Sequence, residues 1–156
     1  DGVLIDVLPH ILSVSKRIVG TAVDVKELRW WCDDFPVCDN METTLVTDRG
    51  ADLECSMSWT KLVPKFSIEV HGYDGRLEAE LMMQPYRVSL ENRGRKKVYS
   101  DRGLGWYLDL VRFKHPSFRN QYLHFTRLAG GLESPRITVD DEIHILEVVE
   151  KISEMM

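Results

Sequence analysis

Near the start of the chain, apolar residues recur at three- and four-residue steps: Leu4, Val7, Leu8, Ile11, Val14 and Ile18. That period gathers them on one side of an α-helix and predicts a helix over residues 3–19, stopped by Gly20. Pro9 works against this helix, because an interior proline removes one backbone hydrogen bond and kinks the chain. The period then falls towards two. Residues 23–30 read as a strand of imperfect alternation, and residues 42–47 and 51–59 read as strands flanking an Asp48-Arg49-Gly50 turn. Residues 66–70 and 76–81 flank Tyr73-Asp74-Gly75, and residues 86–90 and 97–99 flank Asn92-Arg93-Gly94. Asp-Gly between alternating runs signals a hairpin, since such a turn uses positive φ. The pattern predicts roughly six or seven strands, mostly antiparallel and in sequential order.

Helical spacing returns at the end. Phe118, Tyr122, Phe125 and Ala129 form one stripe, closed by Gly130-Gly131. Thr138 then opens a last helix as its cap, and Asp140 and Asp141 complement the positive helix start. Ile145, Val148, Val149 and Ile152 share a buried face, leaving Glu147, Glu150, Lys151 and Glu154 in water. One helix, a run of antiparallel strands and two helices predict an α+β fold. A mostly antiparallel open sheet carries helices packed on one face, in a single domain over residues 1–156.

Composition narrows the possible functions. At 156 residues, 44% hydrophobic and 29% charged, the chain has the size and balance of one globular domain. A net charge of −5 argues against nucleic acid as partner, since such binding draws its affinity from Lys and Arg on phosphates. No apolar run approaches the ~18 residues a membrane span needs, and the N-terminus does not read as a signal peptide. The start at Asp1 fits a processed or excised piece. Cys32, Cys38 and Cys55 are odd in number and form no C-x-x-C pair, which fits a reducing cytoplasm better than a disulfide framework. Cys32 and Cys38, with Asp33, Asp34 and Asp39, read as a polar connector and not as a metal site.

Few residues carry chemistry on spacing alone. Asp6, His10, Ser13 and Arg17 fall on one polar face of the first helix, and a carboxylate four residues before an imidazole can hold its proton. The same pair also fits a solvated face, with Asp6 suiting the helix dipole. Arg93, Arg95, Lys96 and Lys97 sit at a hairpin, either as a phosphate site or as a solvated tip. Trp30, Trp31, Trp59 and Trp106 could stack on a sugar or fill half-buried strand positions. His71, His115, His124 and His144 show no two-His metal spacing, no G-x-S-x-G supports a serine nucleophile, and no G-x-G-x-x-G follows a strand. From these residues alone, the chain is a soluble α+β domain with one polar helix face of interest.

Taken in order, several motifs resemble one family. Gly2 to His10 is similar to the G-x-x-x-D-x-x-P-H helix of the glucose–fructose oxidoreductase, inositol dehydrogenase and MocA-like family, where it opens the second half of the C-terminal domain. Val70 to Leu77 resembles that family's v-x-G-x-x-G-x-L hairpin, and Leu53 to Trp59 resembles the preceding strand, which often ends in Ser-Trp. Tyr122 to Phe125, Gly130-Gly131, Pro135, Thr138 to Asp141 and Glu147 to Glu150 resemble its ending. Pro9 is tolerated at this place in some members. Many members carry an aspartate where Ser13 stands, so the substrate differs.

The resemblance implies a two-domain enzyme whose N-terminal Rossmann domain, absent here, binds NAD or NADP and supplies a catalytic lysine. This chain would be the C-terminal domain that contacts substrate and forms a homodimer through its open sheet face, with its first strand preceding Asp1. No cofactor site and no metal are expected in it. By the same resemblance, His10 accepts the hydroxyl proton as the hydride leaves a sugar, inositol or related polyol. Asp6 orients the substrate, and Trp59 joins both as a substrate contact. The alternative is a non-catalytic binding or oligomerisation domain that keeps the fold.

Overall fold

The structure, a computed structural model, describes residues 2–62, 67–80, 87–100 and 116–156. They fall into two compact units, Asp1–Leu62 with Pro135–Met156, and Val63–Ser134. The α+β class and the sequential antiparallel strands are as expected, with the seven described strands divided between two sheets.

In the first unit, α1 (Val3–Val19) precedes β1 (Ala22–Trp31), β2 (Asn40–Thr47) and β3 (Asp52–Ser58), an antiparallel meander. The chain returns to this unit as α3 (Val139–Glu154). The imperfect alternation of β1 has a cause: its register against β2 shifts between Ala22 and Asp24 and again between Val25 and Glu27. Each shift sends the following side chains to the other face. β2 is regular. Met41, Thr43, Leu45 and Thr47 are buried on one face, opposite Met57, Cys55 and Leu53 of β3.

The helices cover this face. α1 continues through Pro9, whose missing amide leaves the carbonyl of Ile5 without its helical donor. Its buried positions are Val3, Leu4, Leu8, Leu12 and Ser15, while Ile18 is exposed. The core-facing stripe is thus rotated from the expected one, with Leu12 inside and Ile18 out. α3 buries Ile145, Val148, Val149 and Ile152, as its spacing predicted. Such burial contributes on the order of 1.5–3 kcal/mol per large side chain. Thr138 caps it within a capping box closed by Asp141. Asp141 also pairs with Lys16 of α1, and that contact, with the Thr138 hydrogen bonds, lowers its pKa to about 2.

The outer face of this sheet is polar. Lys26 pairs with Asp52 at 2.6 Å and Arg29 with Glu42 at 2.5 Å, beside an open concavity of about 730 Å³ that includes Glu27, Thr44, Glu54 and Ser56.

The second unit holds β4 (Ser67–Gly72), β5 (Gly75–Glu80), β6 (Arg87–Asn92) and β7 (Arg95–Ser100) in sequential antiparallel order, and α2 (Pro116–Ala129). Ile68, Ala79, Val88 and Tyr99 line up across its four strands, with Val70, Leu77 and Leu90 in the next row. The hairpin expected at 73–75 turns on Tyr73-Asp74 alone, and Gly75 already belongs to β5. Gly75 does not have the positive φ expected of it. Its glycine is needed for space, since a Cβ there would meet the Glu91 carbonyl oxygen at 2.0 Å. The aromatic stripe of α2 forms, yet Phe118, Tyr122 and Phe125 are mostly exposed. Phe66, Leu81 and Tyr86, expected in strands, lie outside the described residues.

Candidate functional site

The candidate site is built around the first turns of α1. Gly2 caps the helix with φ +51°, and a Cβ on it would meet the Cys38 carbonyl oxygen at 2.0 Å. Only glycine lets the connector between β1 and β2 lie this close, where the Val3 amide donates to that same oxygen at 2.8 Å. Leu4 and Leu8, both fully buried, pin the opposite side of the helix into the core. Asp6 and His10 consequently point outward, one turn apart, and both are exposed.

Trp59 completes the corner. It follows β3 directly, and its backbone amide donates to the Asp39 carbonyl at 2.9 Å. Its indole Nε1–H donates to the Asp6 carboxylate at 3.0 Å, so residues 53 positions apart meet at one point. Asp6 and Trp59 are therefore brought together. His10 stands on the next turn, with no hydrogen bond or ion pair reaching its side chain among the described residues. The Asp6 carboxylate thus has the indole, not the imidazole, as its described partner. Phe35 meets Trp59 edge to face, ring centroids 6.0 Å apart and planes at 86°.

What holds this corner was missed in the sequence. Asp39 is fully buried, and its carboxylate accepts from the backbone amides of Asp33, Asp34 and Phe35 at 2.7–3.1 Å and from Asn40 Nδ2 at 2.8 Å. Burial pushes its pKa up, but these donors outweigh burial and hold it below the ordinary carboxylate value. Asn40 extends the network, donating to Asp33 at 3.0 Å and accepting from the Thr60 hydroxyl at 3.2 Å. The connector read as merely polar is a fixed loop wound on one carboxylate. The available signal was Asp39, just before the strand that opens at Asn40 and separated by Pro36-Val37-Cys38 from the Asp33-Asp34-Phe35 run.

The remaining candidates carry less. Cys32 is exposed, and Cys38 and Cys55 are buried. Burial raises both buried thiols, Cys55 to about 12, which removes them as nucleophiles at neutral pH. No group of three metal-ligating side chains occurs among the described residues. His124 pairs with Glu133 at 2.6 Å, His71 with Glu69, and His144 Nε2 lies 2.9 Å from the Ala22 carbonyl. On the basic hairpin, Arg93 pairs with Asp74 at 3.2 Å and Lys97 lies over the Tyr99 ring at 4.6 Å. Trp31 donates to Asp33 at 3.0 Å and also lies under the Arg29 guanidinium. Trp106 and His115 lie outside the described residues.

No protein-family model matches the sequence, and no curated protein matches it. Solved structures do. A dehydrogenase (MviM) from Clostridium difficile aligns over 98% of this chain and 48% of its own, with a TM-score of 0.77 and 15% identity. KijD10, a 3-ketoreductase from Actinomadura kijaniata solved with TDP-benzene and NADP, aligns over 96% of this chain and 45% of its own, with a TM-score of 0.73 and 16% identity. The fold is that of these oxidoreductases. An oxidoreductase from Agrobacterium radiobacter, solved with NAD+, L-tartaric acid and magnesium, shares it over 93% of this chain and 44% of its own, with a TM-score of 0.65 and 18% identity. The fold expected from the family resemblance is thus the fold found. The chain spans less than half the length of each of these structures.

Proposed function

We propose that residues 1–156 form the C-terminal substrate-binding and dimerisation domain of an NAD(P)-dependent oxidoreductase acting on a sugar, inositol or related polyol. The observation that carries this reading is the Asp6–Trp59 hydrogen bond on the exposed side of α1, with His10 on the next turn. A fold shared with a dehydrogenase and a ketoreductase supports it.

NAD or NADP, bound by an N-terminal domain preceding this chain, supplies the hydride acceptor. The described strands of this chain pair only antiparallel, so among the described residues there is no parallel βαβ unit of the dinucleotide-binding kind. What the chain contributes is the substrate hydroxyl's environment. Asp6 accepts a hydrogen bond from a neighbouring substrate hydroxyl and fixes its orientation, while the Trp59 indole fixes Asp6. His10, free of protein partners among the described residues, takes the proton of the reacting hydroxyl as the carbinol carbon gives up its hydride.

The homodimer belongs to this reading, through the face of the β1–β3 sheet opposite α1 and α3. That face is charged and ion-paired, so its partner would be held by matched polar groups more than by apolar burial. Monomeric sedimentation of the full-length protein would remove this part. A cytoplasmic location fits three free cysteines, and no described helix is long and apolar enough to cross a membrane.

The experiment is a spectrophotometric assay of the full-length protein with NAD+ or NADP+ and a panel of cyclic polyols. Reduced nicotinamide is expected with at least one of them. No reduction across the panel, with either cofactor, would leave the non-catalytic binding domain in its place.

A further inference from the structure

We propose that Phe35 and Trp59 form an aromatic corner that receives the C–H face of a ring-shaped polyol and so favours cyclic over open-chain substrates. This rests on the oxidoreductase reading above and adds Phe35, a residue the sequence did not single out.

Two rings in edge-to-face contact at 86° make an L-shaped wall, whose free faces are open to an incoming ligand. Phe35 is 49% exposed and Trp59 40%, so each ring leaves part of its surface for a ligand while the two touch each other. The Trp59 ring and the loop that carries Phe35 are both tied down. The Phe35 backbone amide is tied to Asp39 at 3.1 Å, and that carboxylate holds the two preceding amides as well. The Trp59 ring is tied through Nε1 to Asp6, and its backbone to Asp39. The Trp59 ring and the Phe35 backbone are therefore held before a ligand arrives, which spares it part of the entropy of arranging the wall.

Its chemistry is complementary to a ring polyol. Such a ring has a C–H face that leaves water favourably on an aromatic surface, and an equatorial edge of hydroxyls that needs acceptors. The corner offers both, since the Asp6 carboxylate lies at the edge of the Trp59 ring and His10 stands one helical turn beyond. An open-chain polyol, rotating about each carbon–carbon bond, presents no flat C–H face and gains nothing from two fixed rings.

The test uses the full-length protein and two probes, methyl glucopyranoside, which cannot open, and glucitol, its open-chain counterpart. Binding is followed by the Trp59 indole N–H resonance, assigned with Trp59→Phe. Phe35→Ala should weaken methyl glucopyranoside about tenfold and leave glucitol nearly unchanged. Phe35→Tyr should restore ring binding. Because Phe35 is half exposed, the alanine variant should keep the wild-type spectrum elsewhere.

An equal loss for both probes, no loss for either, or no movement of the Trp59 resonance with methyl glucopyranoside would overturn the proposal. This titration needs no turnover. Ring binding that depends on Phe35 in a protein that reduces no nicotinamide would retain the corner and discard the oxidoreductase. Turnover with no effect of Phe35 would do the reverse.

Discussion

Replacing His10 with alanine in the full-length protein should lower kcat for polyol oxidation by about 10²–10⁴-fold, the usual contribution of a positioned proton acceptor. KM should change far less, because on the proposed reading Asp6 and Trp59 remain to hold the substrate. The fold should be untouched, since the His10 side chain is exposed and makes no hydrogen bond or ion pair among the described residues. Removing it creates no cavity and strands no buried group. The lost rate should recover in part as pH rises and the substrate hydroxyl releases its proton unaided. Steady-state kinetics beside far-ultraviolet circular dichroism measure both halves. A kcat within twofold of wild type, with an unchanged spectrum, removes His10 from the mechanism.

The second large effect is structural. Asp39→Ala should lower the thermal midpoint by several degrees and loosen residues 33–35, because three backbone amides and the Asn40 amide lose their buried acceptor together. Leaving buried donors unpaired costs more than the hydrogen bonds themselves contributed. A pH signature separates this from a simple cavity. The folded Asp39 carboxyl titrates below its ordinary value of 3.8, so its ionisation stabilises the fold above that pH. That contribution fades as pH falls through the folded pKa. Wild type and Asp39→Ala should therefore converge in stability as pH drops from about 5 towards 2. Urea midpoints across that range check it, and a gap independent of pH would contradict a charged Asp39.

These two residues show what a sequence gives away. α1 could be placed at residues 3–19 because its period is strong and Gly20 stops it, and α3 because Thr138, Asp141 and four apolar positions agree. Strand existence followed from alternation, and the bulges of β1 explain why its alternation faltered. The axis of the α1 stripe was misjudged, because Ile18 and Leu12 are equally apolar and only packing chooses between them. Gly75 was attributed to turn geometry when its reason is the nearby Glu91 carbonyl, a contact between strands that local spacing cannot reveal.

The site divides in the same way. Asp6 and His10 share a helix face by spacing alone, so their proximity was legible. Trp59 meets Asp6 across 53 residues, a pairing spacing could not reveal; the sequence offered it as one of four tryptophans able to stack on a sugar, and the resemblance to Ser-Trp strands set it apart. Phe35 and Asp39 were not legible as site residues. Their roles come from a loop folded onto one carboxylate, and nothing periodic marks such a loop. The aromatic stripe of α2 was legible as a pattern, yet Phe118, Tyr122 and Phe125 stand largely exposed.

The most direct test of the proposed function is one distance, measured in a crystal structure of the full-length protein with bound nicotinamide cofactor and a cyclic polyol. The reacting hydroxyl oxygen should lie about 2.6–3.2 Å from a ring nitrogen of His10, with its carbon facing the nicotinamide. A polyol bound against the cofactor but away from Asp6, His10 and Trp59 would contradict the assignment of this corner as the substrate site.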